Sequence, residues 1–433
     1  MVTGWVFLAI AALALLAACN TLRPLYAPAM LATFSFFAGW LVGELAPQAV
    51  VALVVCATVF WKLGALASRP GQIALAVTFG ACAVLLMAQG RARRARACFD
   101  LALREAFGQA LPGEASRAWL APAFDWLRVA LPFPVRHPAV ACDRRVEFHR
   151  EGDVSLRLDV HRARGHRGRG PTLVYVHGGA WILGHRERQG LPLLQHLAAR
   201  GWVCFSVDYR LSPRATFPDH LIDVKRAVAW VRAHASRYGA DPGFLVIAGN
   251  SAGAHLASLV ALTPGDPEYQ PGFERDDTSV AACIGFYGIY DLLDRHRHWP
   301  HGGMKRLLER HVMKVTREDA PLAYERASPV TRVCACAPPF LLVHGACDSL
   351  APVAEARRFH QALRESADAP VAYAELPGAQ HAFELFPSVR TAHVLDGVTR
   401  FLAFVHGRHV ARLTPRIDAR SSEPRPATRS ARA

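Results

Sequence analysis

The chain has 433 residues, 52% of them hydrophobic, and a formal net charge of +15. That length suits one large domain with an appendage, and the apolar excess excludes an ordinary soluble enzyme unless part of the chain lies in lipid. The positive charge raises nucleic-acid binding. However, it gathers in "RARRAR" at 91–96 and in the arginine-rich tail after Gly407, with no nucleic-acid motif, so no nucleic-acid partner is expected and anionic lipid is the better match.

Residues 1–90 carry only four charged side chains: Arg23, Glu44, Lys62 and Arg69. Four uncharged stretches, Met1–Leu22, Pro24–Gly43, Leu45–Trp61 and Pro70–Gly90, each approach the roughly 20 residues that cross a bilayer. They predict a multi-pass anchor in the cell membrane with two to four spans, four being the simplest count. A lipoprotein signal ending in "LAAC" (Leu16 to Cys19) is disfavoured, because no Lys or Arg precedes it and further apolar stretches follow. "RARRAR" should keep everything after it on the cytoplasmic side.

Residues 91–145 read as a basic linker with helices that could cap a pocket. The stripe Leu120, Phe124 and Leu127, with Trp119 and Trp126 beside it, is the best candidate for such a helix. The ten cysteines show no CxxC pair and no Cys/His spacing, so no metal site is expected. Cys334 and Cys336 read as two packed thiols rather than a redox pair.

From about Val146 to residue 406, short apolar strands alternate with amphipathic helices. The strands are "VSLRLDV", "PTLVYVHGG", "WVCFSVDYR", "FLVIAGN", "AACIGFYGI", "PPFLLVHGA" and "VAYAELPG". This alternation predicts a mostly parallel sheet covered by helices on both faces, with ligands at the carboxyl ends of the strands. The insertion at 292–326 reads either as a mobile lid or as a solvated polar face. The tail 407–433 has seven arginines against two acids after Gly407 and is expected to be disordered.

Gly249-Asn250-Ser251-Ala252-Gly253 lies between a strand and a helix, the context a G-x-S-x-G nucleophile elbow requires. Upstream, His177-Gly178-Gly179-Ala180-Trp181 ends a strand. Backbone N–H groups of Gly178 and Gly179, with that of Ala252, could bind an oxyanion there, while His177 braces the loop. Downstream, Asp348 and His381 each follow a strand end, completing the order Ser, Asp, His. His344, His255 and Glu384 are rivals that do not fit that order.

Together, "HGGAW", "DYRLSP", "GNSAG", "HGACDSLAP" and "GAQHAF" resemble the α/β-hydrolase superfamily, close to the hormone-sensitive-lipase-like carboxylesterases. The resemblance covers about 145–405 and implies an α/β-hydrolase fold preceded by the membrane helices. It implies hydrolysis of a carboxylic ester by Ser251, Asp348 and His381, with Gly178, Gly179 and Ala252 as oxyanion donors and no cofactor. Ala180 stands where many relatives have a third glycine, which also resembles formamidase-like and acetyl-esterase-like branches. An arylformamidase, a thioesterase or a non-catalytic binding protein on the same fold are the alternatives.

Overall fold

A computed structural model describes residues 2–108, 129–131 and 136–413. The expected stripe from Trp119 to Leu127 lies outside these residues, as does 414–433. The apolar start of the chain forms helices α1 (Val2–Leu22), α2 (Ala29–Glu44), α3 (Ala46–Lys62) and α4 (Arg69–Arg93), and α5 (Ala95–Phe107) follows almost in line with α4.

Two helices, Val2–Leu22 and Arg69–Phe107, are long and apolar enough to cross a membrane. The shorter pair α2 and α3 is bent by 87°. By length and composition the candidate spans number two, or three if the bent pair counts as one, within the expected two to four. Phe7 clusters with Ala74, and Ala18 with Ala81 and Leu85, so α1 and α4 run parallel. Helix α3 returns alongside them in the opposite direction, with Ala46 in the Ala18 cluster and Phe60 stacked on Phe7 at 4.9 Å. Asn20 and Ser35 exchange hydrogen bonds of 2.6 and 2.5 Å that tie α2 to the end of α1.

The remainder is built on one sheet of eight strands in the order β1-β2-β4-β3-β5-β6-β7-β8. These are β1 (Val140–Glu151), β2 (Val154–Ala163), β3 (Gly170–Val176), β4 (Val203–Val207), β5 (Ala240–Asn250), β6 (Ala282–Phe286), β7 (Phe340–Gly345) and β8 (Val371–Leu376). β2 is antiparallel to both its neighbours, and every pairing from β4 through β8 is parallel. Strand β1 was not expected: its run "CDRRVEFHRE" lies on an open edge, largely exposed, and so lacks the apolar alternation that marks a covered strand.

Side chains alternate across the sheet as the pleat demands. Val174 and Val176 face α7 (Asp219–His234), α8 (Ala252–Leu262) and α9 (Val353–Ser366), whereas Leu173 and Tyr175 face α5, α6 (Leu191–Ala198) and α10 (Val389–Leu413). Two features differ from expectation. Helix α5, read as linker, belongs to the second layer: Phe99 fills the space left by Gly397, where an added Cβ would lie 2.2 Å from its ring. Helix α10 runs on to Leu413, so the first residues of the expected tail are helical.

The 292–326 insertion is solvated on one side, where Arg295, His296, Arg297, Arg306 and His311 are exposed, and anchored on the other. Leu308, Val312 and Tyr324 are buried in the core, and Phe217 N–H donates to Val312 O at 2.9 Å. The sulfurs of Cys334 and Cys336 are joined as a disulfide rather than packed as separate thiols; their Cα atoms stand 5.3 Å apart, within bridging range.

Candidate active site

The sheet reverses direction of growth at β3, which pairs with β4 on one side and β5 on the other. A crevice opens outside the carboxyl ends of strands at such a switch point. The loop after β3 begins at His177 and the turn after β5 holds Ser251, so topology alone brings these two motifs together.

Ser251 has φ 54° and ψ −121°, a conformation costly for a residue with a Cβ, between the end of β5 and the start of α8. Three glycines let the turn close. A Cβ on Gly253 would lie 2.1 Å from Val176 O, one on Gly249 2.3 Å from Gly253 O, and one on Gly178 2.6 Å from Asn250 O and 3.0 Å from Ser251 Cβ. Ser251 N–H donates to Phe286 O at 2.9 Å, tying the turn to the end of β6. The next residue, Tyr287, packs its ring 4.3 Å from that of His381.

His381 follows β8 and Asp348 follows β7. Their side chains meet at 2.6 Å, Nδ1 to Oδ2. The acid is fixed from several directions: Oδ1 accepts N–H bonds from Leu350 (2.9 Å) and Ala351 (2.7 Å), and His344 Nε2 lies 3.2 Å from Oδ2. Burial alone would raise the Asp348 carboxyl. The charges and hydrogen bonds of His381 and His344 outweigh it and hold the group well below the usual carboxylate range. Gln380 Oε1 accepts from Ser349 N–H (2.7 Å) and His381 N–H (3.0 Å), linking the two loops.

The loop after β3, expected to supply oxyanion donors, has one N–H already engaged. Gly178 N–H is already held by Asn250 Oδ1 at 2.7 Å and Gln189 Oε1 at 2.8 Å, so it is not available to a substrate. Among the described residues the N–H groups of Gly179, Ala180 and Ala252 make no hydrogen bond. His177 is buried, stacked on Tyr209 at 4.4 Å, with the Tyr209 hydroxyl donating to its carbonyl at 3.0 Å. Burial lowers its imidazole below the ordinary value, in keeping with a brace.

The rival residues have other partners. His255 is buried, its Nε2 2.7 Å from Ala327 O, and burial lowers it to about 4. Glu384 is buried and bonded by the Tyr287 hydroxyl, and burial raises it to about 7 against that bond. Tyr287 in turn meets Asn250 Nδ2 at 3.1 Å, which closes a network from Glu384 to Gly178. Sequence reasoning did not find this network. Asn250, inside the elbow motif, was its one visible signal. A cavity of about 960 Å³, lined by Arg157, Leu183, Arg186 and Gln189 among others, lies beside the loop after β3, and Ser251 is not among the residues that line it.

A family model described as BD-FAE matches residues 158–363. A protein named "Probable carboxylic ester hydrolase LipM", from Mycobacterium tuberculosis, is 40% identical over 425 residues, covering 94% of this chain and 95% of LipM. The chain belongs to the hormone-sensitive-lipase-like carboxylesterases of the α/β-hydrolase superfamily. Esterase LipC of the same organism is 42% identical over 291 residues, covering 65% of this esterase and 72% of LipC. The match to LipM leaves little of the esterase outside it, so it takes in most of the N-terminal helices. Among solved structures, the esterase Est2 of the planctomycete Thermogutta terrifontis with butyrate bound superposes with a TM-score of 0.51 at 23% identity, covering 66% of this chain and 98% of that one. It shares the fold.

Proposed function

We propose that the esterase cleaves its ester through an acyl-enzyme on Ser251, with His381 as base and Asp348 as the acid that holds the imidazole. The observation that carries this reading is the 2.6 Å bond between His381 Nδ1 and Asp348 Oδ2. That bond leaves Nε2 as the nitrogen that takes the Ser251 proton when the hydroxyl attacks the carbonyl carbon. Negative charge moves to the carbonyl oxygen, where the free N–H groups of Gly179, Ala180 and Ala252 bind it. Each such donor typically contributes ~3–4 kcal/mol to the barrier reduction. His381 then returns the proton to the leaving alcohol and activates the water that releases the acid.

The same proposal places α1, α3 and α4 across a membrane, with α2 lying along its surface beside the catalytic loops. Exposed Trp5, Leu13, Leu16, Val54, Val55, Phe79 and Leu86 on the three crossing helices support it, since water would disfavour so continuous an apolar surface. Exposed Met30, Phe34 and Phe37 on α2 extend that surface to within one helix width of His381, which favours a lipid-like ester as substrate. The positive cluster at 91–96 supports a cytoplasmic catalytic side.

Hydrolysis of p-nitrophenyl esters of increasing acyl length by the full chain in detergent micelles tests the reading. Turnover is expected, abolished in Ser251→Ala and rising with acyl length. Turnover that survives Ser251→Ala would overturn the triad.

A further inference from the structure

Helix α2 is apolar but not uniformly so. Ala32, Phe36, Trp40 and Glu44 recur every four residues and therefore share one face. Met30, Leu31, Phe34, Phe37 and Leu41 are exposed elsewhere on the helix. A carboxylate at the end of so apolar a helix is costly to bury unless it is paired. Glu44 is buried, and its partners decide where the helix sits: Arg390 Nε at 2.8 Å and Ser388 Oγ at 2.7 Å.

Arg390 also donates from Nη1 to Pro377 O at 2.7 Å. Glu44 thus grips, through one guanidinium, both ends of the segment 377–390 that carries His381. One turn back, Trp40 Nε1–H donates to Ala382 O at 2.8 Å, and its ring stacks on Phe386 at 4.9 Å. Ala382 follows His381 and has φ 61°, a left-handed conformation that a residue with a Cβ keeps only where its surroundings enforce it. A further turn back, the Phe36 ring meets the His381 imidazole edge-on at 6.2 Å. At the start of the stripe, Ala32 O lies 3.4 Å from the hydroxyl of Ser349, the residue after Asp348.

We propose that this stripe makes α2 a positioning element of the catalytic site: Trp40 and Glu44 set the loop that aims the His381 imidazole at Ser251. The inference rests on the triad reading above. Its consequence is that the apolar N-terminal helices are part of the working enzyme and not a detachable anchor.

The test uses the full chain in detergent micelles with p-nitrophenyl butyrate, comparing Trp40→Phe, Glu44→Gln, Trp61→Phe and Ser251→Ala. Trp40→Phe keeps an aromatic ring to pack on Phe386 and removes the N–H donor. Displacing a catalytic group by about 1 Å costs on the order of a hundredfold. Trp40→Phe and Glu44→Gln should therefore lower kcat by about ten- to a hundredfold while KM stays within about twofold. Trp61, exposed on α3, serves as the control, and its variant should match the parent. Thermal unfolding of Trp40→Phe is expected to stay close to that of the parent, which separates positioning from general loss of structure. Parental kcat in both Trp40→Phe and Glu44→Gln, with Ser251→Ala inactive, would overturn the inference and leave the triad standing. Turnover that survives Ser251→Ala would overturn both.

Discussion

Ser251 owes its conformation to its neighbours rather than to its own preference. Gly253 is the tightest of them, its missing Cβ standing 2.1 Å from Val176 O on an adjacent strand. Gly253→Ala must push β3 and α8 apart, and a loss at the upper end of the ~1–3 kcal/mol typical of overpacking is expected in chemical denaturation. In the proposed triad, Asp348→Asn preserves shape but removes the charge that would hold the His381 tautomer. A fall in kcat of about four orders of magnitude with little change in KM is expected from steady-state kinetics. A third residue titrates outside the mechanism. Glu355 is buried under the N–H groups of Tyr290 and Asp291, and burial, helped by the Asp291 charge, raises it from 4.5 to about 8. The unfolded carboxyl ionises near 4.5 while the folded one keeps its proton, so its stabilisation is complete below pH 4.5 and lost as pH rises towards 8. The slope is at most about 1.4 kcal/mol per pH unit. Unfolding midpoints of Glu355→Gln should accordingly fall less between pH 5 and 8 than those of the parent.

At the scale of elements, α5 shows how a segment that reads as linker becomes structural. Its apolar face, Phe99, Ala102 and Leu103, is buried against the sheet and α10, and Arg400 Nη1 reaches Asp100 at 2.6 Å. Removing a buried aromatic ring of this kind costs about 3–5 kcal/mol. Phe99→Ala is expected to show that loss in urea unfolding of the micelle-bound protein. Strand β1 illustrates the opposite case. It adds backbone pairing to β2 while burying only Val140 and Phe148, so most of its other positions are free to be charged. The helix α8 after the elbow and the strand ends bearing Asp348 and His381 stood where periodicity put them, because each is decided by a continuous apolar run and its glycine-marked end.

At the scale of the molecule, three helices bundle, a fourth turns by 87°, and that fourth meets the loop that carries His381. An apolar bundle holds a membrane through buried area, which salt does not weaken, whereas a basic tail holds it through charge, which salt screens. The esterase should remain in the membrane fraction after washing in about 1 M salt. A chain ending at Leu413 should remain there equally well, as judged by sedimentation and immunoblot.

The sequence by itself determined the layered sheet, the elbow at Ser251 and the strand ends that bear Asp348 and His381. These depend on local period, on turn residues and on chain order, all written within a few residues of each other. Three matters were decided only by tertiary structure. Gly178 N–H is occupied because Asn250 and Gln189, distant in the chain, reach it first. Helix α2 docks on the loop after β8 because Glu44 finds Arg390, 346 residues away. The insertion 292–326 is packed because Leu308, Val312 and Tyr324 find apolar neighbours that no local pattern announces. In each case a polar or apolar group must be satisfied by a partner far along the chain, and only the folded arrangement chooses which one.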